Sequence, residues 1–177
     1  MAPKHQHAPV RSAIEGARKT EWVAGWRDGV GDQLMGFGQF MALGVTWGEF
    51  WKRAIENAGA DFEALVPVLV RDGNRVVQYV ELRAPKSGKG KVALPMGVGP
   101  ALVWPGLWER FEPVLGQRIL VVVASQGCAF LFPGGDRSHE RYAAAVLKEY
   151  YGGARPVSLE VFEVNGTGWR AVGALEE

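Results

Sequence analysis

Residues Arg118–Pro133 read RILVVVASQGCAFLFP, and the fold turns on how they are read. In Arg118–Ala124 both alternating sets are apolar: Ile119, Val121 and Val123 on one side, Leu120, Val122 and Ala124 on the other. A β-strand sends successive side chains to opposite faces, so a strand that is apolar on both is covered on both and sits centrally. Ser125-Gln126-Gly127 is a short turn, and Cys128–Phe132 runs apolar again until Pro133-Gly134-Gly135 breaks it. Two such runs joined by turn residues predict a β-hairpin.

Downstream, Ala143, Val146, Leu147 and Tyr150 recur at helical spacing. They predict a helix capped by Asp136 or Ser138 and closed by Gly152-Gly153, because the residue after a helix often takes a left-handed φ. Val157–Val164 predicts a strand with Val157, Leu159 and Val161 on its apolar face. Asn165–Gly168 turns the chain, and Trp169–Gly173 returns. Residues 117–173 therefore read as a ββαββ unit with its helix laid over one face of the sheet.

Upstream, Thr46-Trp47-Gly48-Glu49 is a capping box, in which threonine and glutamate each satisfy the other's free backbone N–H. The helix that follows carries Trp47, Phe50, Trp51, Ala54, Ile55 and Ala58 on one apolar face, which places Trp47 and Trp51 in the core; Gly59 is its expected stop. Ala64–Val70 and Val76–Leu82 flank Arg71-Asp72-Gly73-Asn74-Arg75 and predict a second hairpin, with Pro67 marking an edge strand. Lys91–Leu94 predicts a short strand, and Leu107–Phe111 a helical turn ending before Pro113. Val10–Lys19 is read as a short helix with Val10, Ile14 and Ala17 on one face. Trp22–Met41 is read as strands with glycine bends, since Gly25, Gly29, Gly31, Gly36 and Gly38 oppose a helix.

The expected fold class is α+β: mostly antiparallel β-hairpins packed against two or three helices. Met1–Pro9 is polar, with two prolines, and reads as a flexible arm; residues 10–177 form a single domain. Chains of this length bury about 70% of their extended surface, enough for a core without covalent staples. A net charge of +1 exerts no global pull on nucleic acid or membrane. The single cysteine excludes an internal disulfide and fits a reducing compartment. Met1–Val10 is not followed by the apolar run of a signal peptide. Gln33–Gly48 and Val92–Trp108 lack charge, but both are broken by glycine or proline and fall short of the ~18–20 residues of a spanning helix. A cytoplasmic protein with no membrane partner is expected.

The order of these parts resembles a known family. A PVLVR strand (Pro67–Arg71) precedes the ILVVVASQGCAFLFP hairpin, a helix ending in YYGG, the PVSLEVF strand (Pro156–Phe162) and a last aromatic-bearing strand. This is similar to the YtpQ-like domain of uncharacterised bacterial proteins, over the C-terminal third plus one strand. The chain departs from that pattern in a shorter span before the hairpin and in its Trp/Gly-rich N-terminal region. The resemblance implies a fold and no activity.

Chemistry-bearing residues are few. Cys128, His139 and Glu140 are the one nucleophile-plus-base set, but a thiol inside an apolar run usually serves as a small hydrophobe. His5 and His7 lack the third and fourth ligands of a zinc site, and Asp28 with Asp32 supplies too few oxygens for calcium. Ser87-Gly88-Lys89-Gly90-Lys91 departs from a phosphate loop, having no serine or threonine after its lysine. No catalytic residue, metal or cofactor is assigned.

Two functional readings lead, with an enzyme acting through Cys128 as a third. The leading one is a non-catalytic binding or adaptor module recognising a protein partner. Its surface would be the uncharged segments Leu34–Val45 and Leu94–Trp108, provided they are exposed; homo-oligomerisation through them is a variant of the same reading. The alternative is a nucleic-acid-binding protein. Arg18, Lys19, Trp22, Trp26 and Arg27 interleave cations with indoles, and Arg83, Lys86, Lys89 and Lys91 fall within nine residues. The near-neutral net charge weighs against it.

Overall fold

The computed structural model describes residues 10–27, 32–87, 91–92, 97–135, 137–153, 155–166 and 168–176. In chain order the elements are β1 (Arg11–Ala13), β2 (Glu21–Val23), β3 (Gly25–Arg27), β4 (Asp32–Leu34), α1 (Phe37–Ala42), α2 (Trp47–Glu63), β5 (Val66–Arg71) and β6 (Val77–Arg83). Then come β7 (Lys86–Ser87), β8 (Lys91–Val92), a 3-10 turn (Pro100–Val103), α3 (Gly106–Leu115), β9 (Ile119–Ser125) and β10 (Cys128–Pro133). The last are α4 (Ser138–Arg141), α5 (Ala143–Gly152), β11 (Glu160–Asn165) and β12 (Gly168–Ala174).

The fold is α+β. Six antiparallel strands form the main sheet in the order β12-β11-β9-β10-β6-β5. The doubly apolar strand β9 lies inside that order and is buried along its whole length. Both of its faces are covered. On one, Ile119, Val121 and Val123 join Val80, Leu82 and Leu131 beneath Phe62 of α2, Leu102 of the 3-10 turn and Phe111 of α3. On the other, Leu120 and Val122 join Tyr79, Phe130 and Phe132 beneath Val146 and Tyr150 of α5. Burying each such side chain contributes roughly 1.5–3 kcal/mol, so this double layer holds the fold.

The second hairpin also forms as read. Its turn is held by Asp72, whose Oδ1 accepts from the N–H groups of Asn74 and Val76, both at 2.9 Å. Arg75 takes the left-handed φ of 66° that closes it. Pro67 sits in β5, which is an edge strand, where a missing N–H costs no sheet bond. The capping box at Thr46 and Glu49 is formed in both directions, with bonds of 3.2 and 2.8 Å.

Elsewhere the structure corrects the sequence. Val10–Lys19 is not a helix: β1 pairs with β2, so that Ser12 faces Trp22, and Val10 and Ala24 extend the pairing. A ten-residue helix is marginal alone, and sheet pairing satisfies the same backbone groups. In Trp22–Met41 the strands β2 to β4 form, but residues from Phe37 on are helical despite Gly38, because Phe40 packs on Trp47 and Phe50 at 5.9 and 5.5 Å.

Gly59 does not stop α2. It lies inside the helix, where an added Cβ would come within 3.1 Å of the Trp104 indole, so its smallness serves packing. Pro113 does not stop α3, which continues to bury Leu115. Gly153 closes α5 in an extended conformation, φ −76°, rather than a left-handed one; a Cβ there would meet Glu149 O at 2.4 Å. The helix before it is split into α4 and α5 at Tyr142, and α4 begins after Arg137 with no side-chain cap bond. Asp136 lies outside the described residues. β11 starts at Glu160, after an isolated bridge from Pro156 to Ser125. The expected arm, Met1–Pro9, also lies outside the described residues.

Candidate functional site

The N-terminal half of α2 overhangs the sheet. Of its seventeen residues only Ala58 and Phe62 are buried, so the tryptophans read as core are not. Trp47 is 39% exposed and Trp51 half-buried. What orders them is each other: the Trp47 ring stacks near-parallel on Phe50 at 5.6 Å and on Trp51 at 6.1 Å. α1 joins the overhang through Phe40, and apolar side chains on it and to either side of it stay in solvent. Leu34 is 59% exposed, Met41 60% and Leu43 51%. The two uncharged segments thus part company. Leu34–Val45 is largely at the surface, with Met35 and Gly36 buried, whereas Val98, Ala101, Leu102 and Leu107 are core.

Between the overhang, the β1–β2 ribbon and β12 lies a cleft of about 420 Å³. Its walls are indoles. Trp22 and Trp169 meet edge to face at 5.6 Å and 82°, and the near-parallel Trp47–Trp51 pair lines the same cleft. Glu15 is the one ionisable residue in its lining among the described residues. No local pattern announces this site. Its walls come from residues 12–22, 47–55, 103–105 and 168–169, which only the tertiary fold brings together.

The ribbon is fastened to the sheet by Glu160, a carboxylate only 7% exposed. Its Oε1 accepts from the backbone N–H of Arg18 at 2.7 Å and of Lys19 at 3.2 Å. The Thr20 hydroxyl donates to Ser158 Oγ at 2.8 Å, and the Ala171 N–H donates to Glu15 O at 2.7 Å. Burial alone would raise the Glu160 pKa, but the bonds from Thr20, Arg18 and Lys19 outweigh it and hold the carboxyl below its usual range. Gly16 lets the ribbon come this close: it takes a φ of 73°, and a Cβ would sit 2.8 Å from Ala171 O.

The residues of the nucleic-acid reading fall into separate places. Arg18 and Lys19 are exposed, but their backbone is committed to Glu160. Trp22 turns into the cleft, and Trp26 is half-buried in β3. Arg83 reaches the other face of the sheet, where Glu81 at 2.6 Å and Glu149 of α5 at 3.7 Å compensate its charge. Lys86 is exposed in β7, and the backbone of Lys91 pairs with Ser87 in β8. Lys89 and the side chains of Arg27 and Lys91 lie outside the described residues, as do His5, His7, Asp28 and the side chain of Asp32.

Cys128 is fully buried, and its thiol is pushed up to about 12, first by burial and further by Glu149 and Glu81, against the pull of Arg83. Its sulfur contacts Ala129 O at 3.9 Å, whereas His139 approaches Glu140 at 4.0 Å. A protonated, enclosed thiol is a poor nucleophile. Iodoacetamide at neutral pH is therefore expected to leave Cys128 unmodified in the folded protein and to alkylate it fully in denaturant. Mass spectrometry showing rapid native labelling would contradict the burial.

Among the described residues no group of three or more histidine, cysteine, aspartate or glutamate side chains is placed to hold a metal ion, and no helix is long and apolar enough to cross a membrane. No family model, curated protein or solved structure matches the chain. The resemblance to the YtpQ-like domain therefore stands on the quoted residues alone.

Proposed function

We propose that this protein is a non-catalytic binding module whose partner is another protein, docked on the α1–α2 overhang through an apolar face of its own. The observation that supports it is the exposure of Leu34, Met41, Leu43 and Trp47 on an uncharged segment of strand, helix and turn. Side chains of this kind stay out of a core only at a cost in water contact, about 25 cal/mol per Å² of apolar surface. Exposed within fourteen residues of chain, from the end of β4 to the start of α2, they mark an interaction surface.

The test is a double substitution, Met41→Asp with Leu43→Asp. Both side chains are more than half exposed, so melting temperature and circular dichroism should stay near those of the native chain. Cross-linking from a photoreactive group at residue 45 should capture a defined protein with the native chain and lose at least about 90% of it with the double variant, as expected when two apolar anchors of a binding surface are removed. A second copy of the chain is one admissible product, and light scattering would then show a mass that falls on substitution. Undiminished capture by the double variant would overturn the proposal.

A further inference from the structure

The indole-walled cleft is a second site, which shares Trp47 with the docking face. We propose that it binds an organic cation of the alkylated ammonium class, held by cation–π contact with Trp22, Trp47, Trp51 and Trp169 and by the carboxylate of Glu15.

Size, shape and charge each point that way. The volume of about 420 Å³ lies in the range of small-molecule sites, roughly 300–1,000 Å³. Its walls offer two differently oriented pairs, one edge to face at 82° and one near-parallel at 24°. Indole faces carry negative potential, and tryptophan is the best aromatic for attracting a cation. A neutral apolar ligand would use such walls equally well, so the charge of the lining decides. Glu15 is its one ionisable side chain, and no lysine, arginine or histidine joins it among the described residues. Arg170, the bridge partner of Glu15, is taken up elsewhere, with its guanidinium on Glu163 at 3.1 Å. Among the described residues an anion would find no cationic side chain in the lining. A hard metal ion would meet a single carboxylate, too few oxygens. A bulky, weakly hydrated cation meets both of its requirements.

The chemistry has two sources, a free quaternary ammonium compound or a methylated lysine on a peptide, and the experiment separates them. The probes are choline, its neutral analogue with a tert-butyl group in place of trimethylammonium, a short peptide carrying trimethyllysine, and the same peptide unmodified. Indole fluorescence and two-dimensional NMR of the indole N–H signals are the readouts.

Choline or the trimethyllysine peptide is expected to bind at least about tenfold more tightly than its neutral or unmethylated counterpart. The shifted signals should be those of Trp22, Trp47, Trp51 and Trp169, with Trp104 and Trp108 unmoved. Glu15→Gln should reduce that preference severalfold and leave the neutral analogue unaffected, a comparison that needs no core substitution because Glu15 is exposed. Tighter binding of choline assigns a free ligand and tighter binding of the peptide assigns a modified protein; either supports the site. Equal affinity for the tert-butyl analogue, shifts confined to Trp104 and Trp108, or no saturation by any probe at tens of millimolar would overturn it.

Discussion

Glu160→Leu is expected to destabilise the protein by about 2–4 kcal/mol and to release the β1–β2 ribbon first. The substitution replaces the carboxylate by an apolar side chain of similar bulk and removes the acceptor for two backbone N–H groups. Each donor left unsatisfied costs about 1–3 kcal/mol where water cannot replace the lost bond. For a chain of this size that lowers the melting temperature by roughly 5–15 °C. The loss should be uneven. Hydrogen exchange should quicken in residues 10–24 while β9 and β10 stay protected, because the sheet keeps both of its cores without the ribbon.

A pH dependence accompanies it. The folded state holds the Glu160 carboxyl below its ordinary pKa, so it binds that proton less readily than the unfolded chain does. The stabilisation is therefore complete above the ordinary glutamate range and is lost as pH falls through the depressed folded value. Glu160→Gln should flatten this acid limb. Uniform exchange across the chain in Glu160→Leu, or an acid limb unchanged in Glu160→Gln, would show that the ribbon is held by other contacts.

The same residue shows where sequence reading stops. The sheet was legible because its signals are local and strong. Ile119–Ala124 and Cys128–Phe132 are apolar in both phases, and burial on both faces is the one setting that rewards this. Asp72 and Thr46 act through backbone groups within four residues of themselves, so their roles could be read in place. Glu160 reads as one acid in an alternating strand, and nothing near it announces that Arg18 and Lys19 lie against it 142 and 141 residues away.

The helix errors share a physical source. Glycine was read for backbone freedom, whereas Gly59 and Gly153 are used for space, against Trp104 and Glu149 respectively. The apolar face of α2 was real, but a helical stripe says nothing of how far a helix outruns the sheet beneath it. For that reason Trp47 and Trp51 moved from expected core to the wall of a cleft.

Phe62→Ala is the second large effect, about 3–5 kcal/mol, the usual cost of truncating a buried phenylalanine. Phe62 is 2% exposed and is the only large side chain that α2 buries in the core beneath it. Its ring meets Trp104 at 4.8 Å and Phe111 at 6.4 Å, with the Arg110 guanidinium 5.6 Å above it. Arg110 also pairs with Glu63 at 3.0 Å, but both partners are largely exposed, so that bond is a weak substitute.

The overhang is a lever with its fulcrum at Phe62, and the only other residue that α2 buries is the small Ala58. Truncation should therefore cost more than stability. Even well below the melting temperature of the variant, the four indole N–H signals of the cleft should broaden or merge, and any cation affinity should fall with them. If Phe62→Ala melts lower by roughly 6–20 °C but keeps four sharp, dispersed cleft signals, the Phe40–Trp47–Phe50 packing holds the overhang without the core. The cleft and the docking face would then be set by α1 rather than by the root of α2.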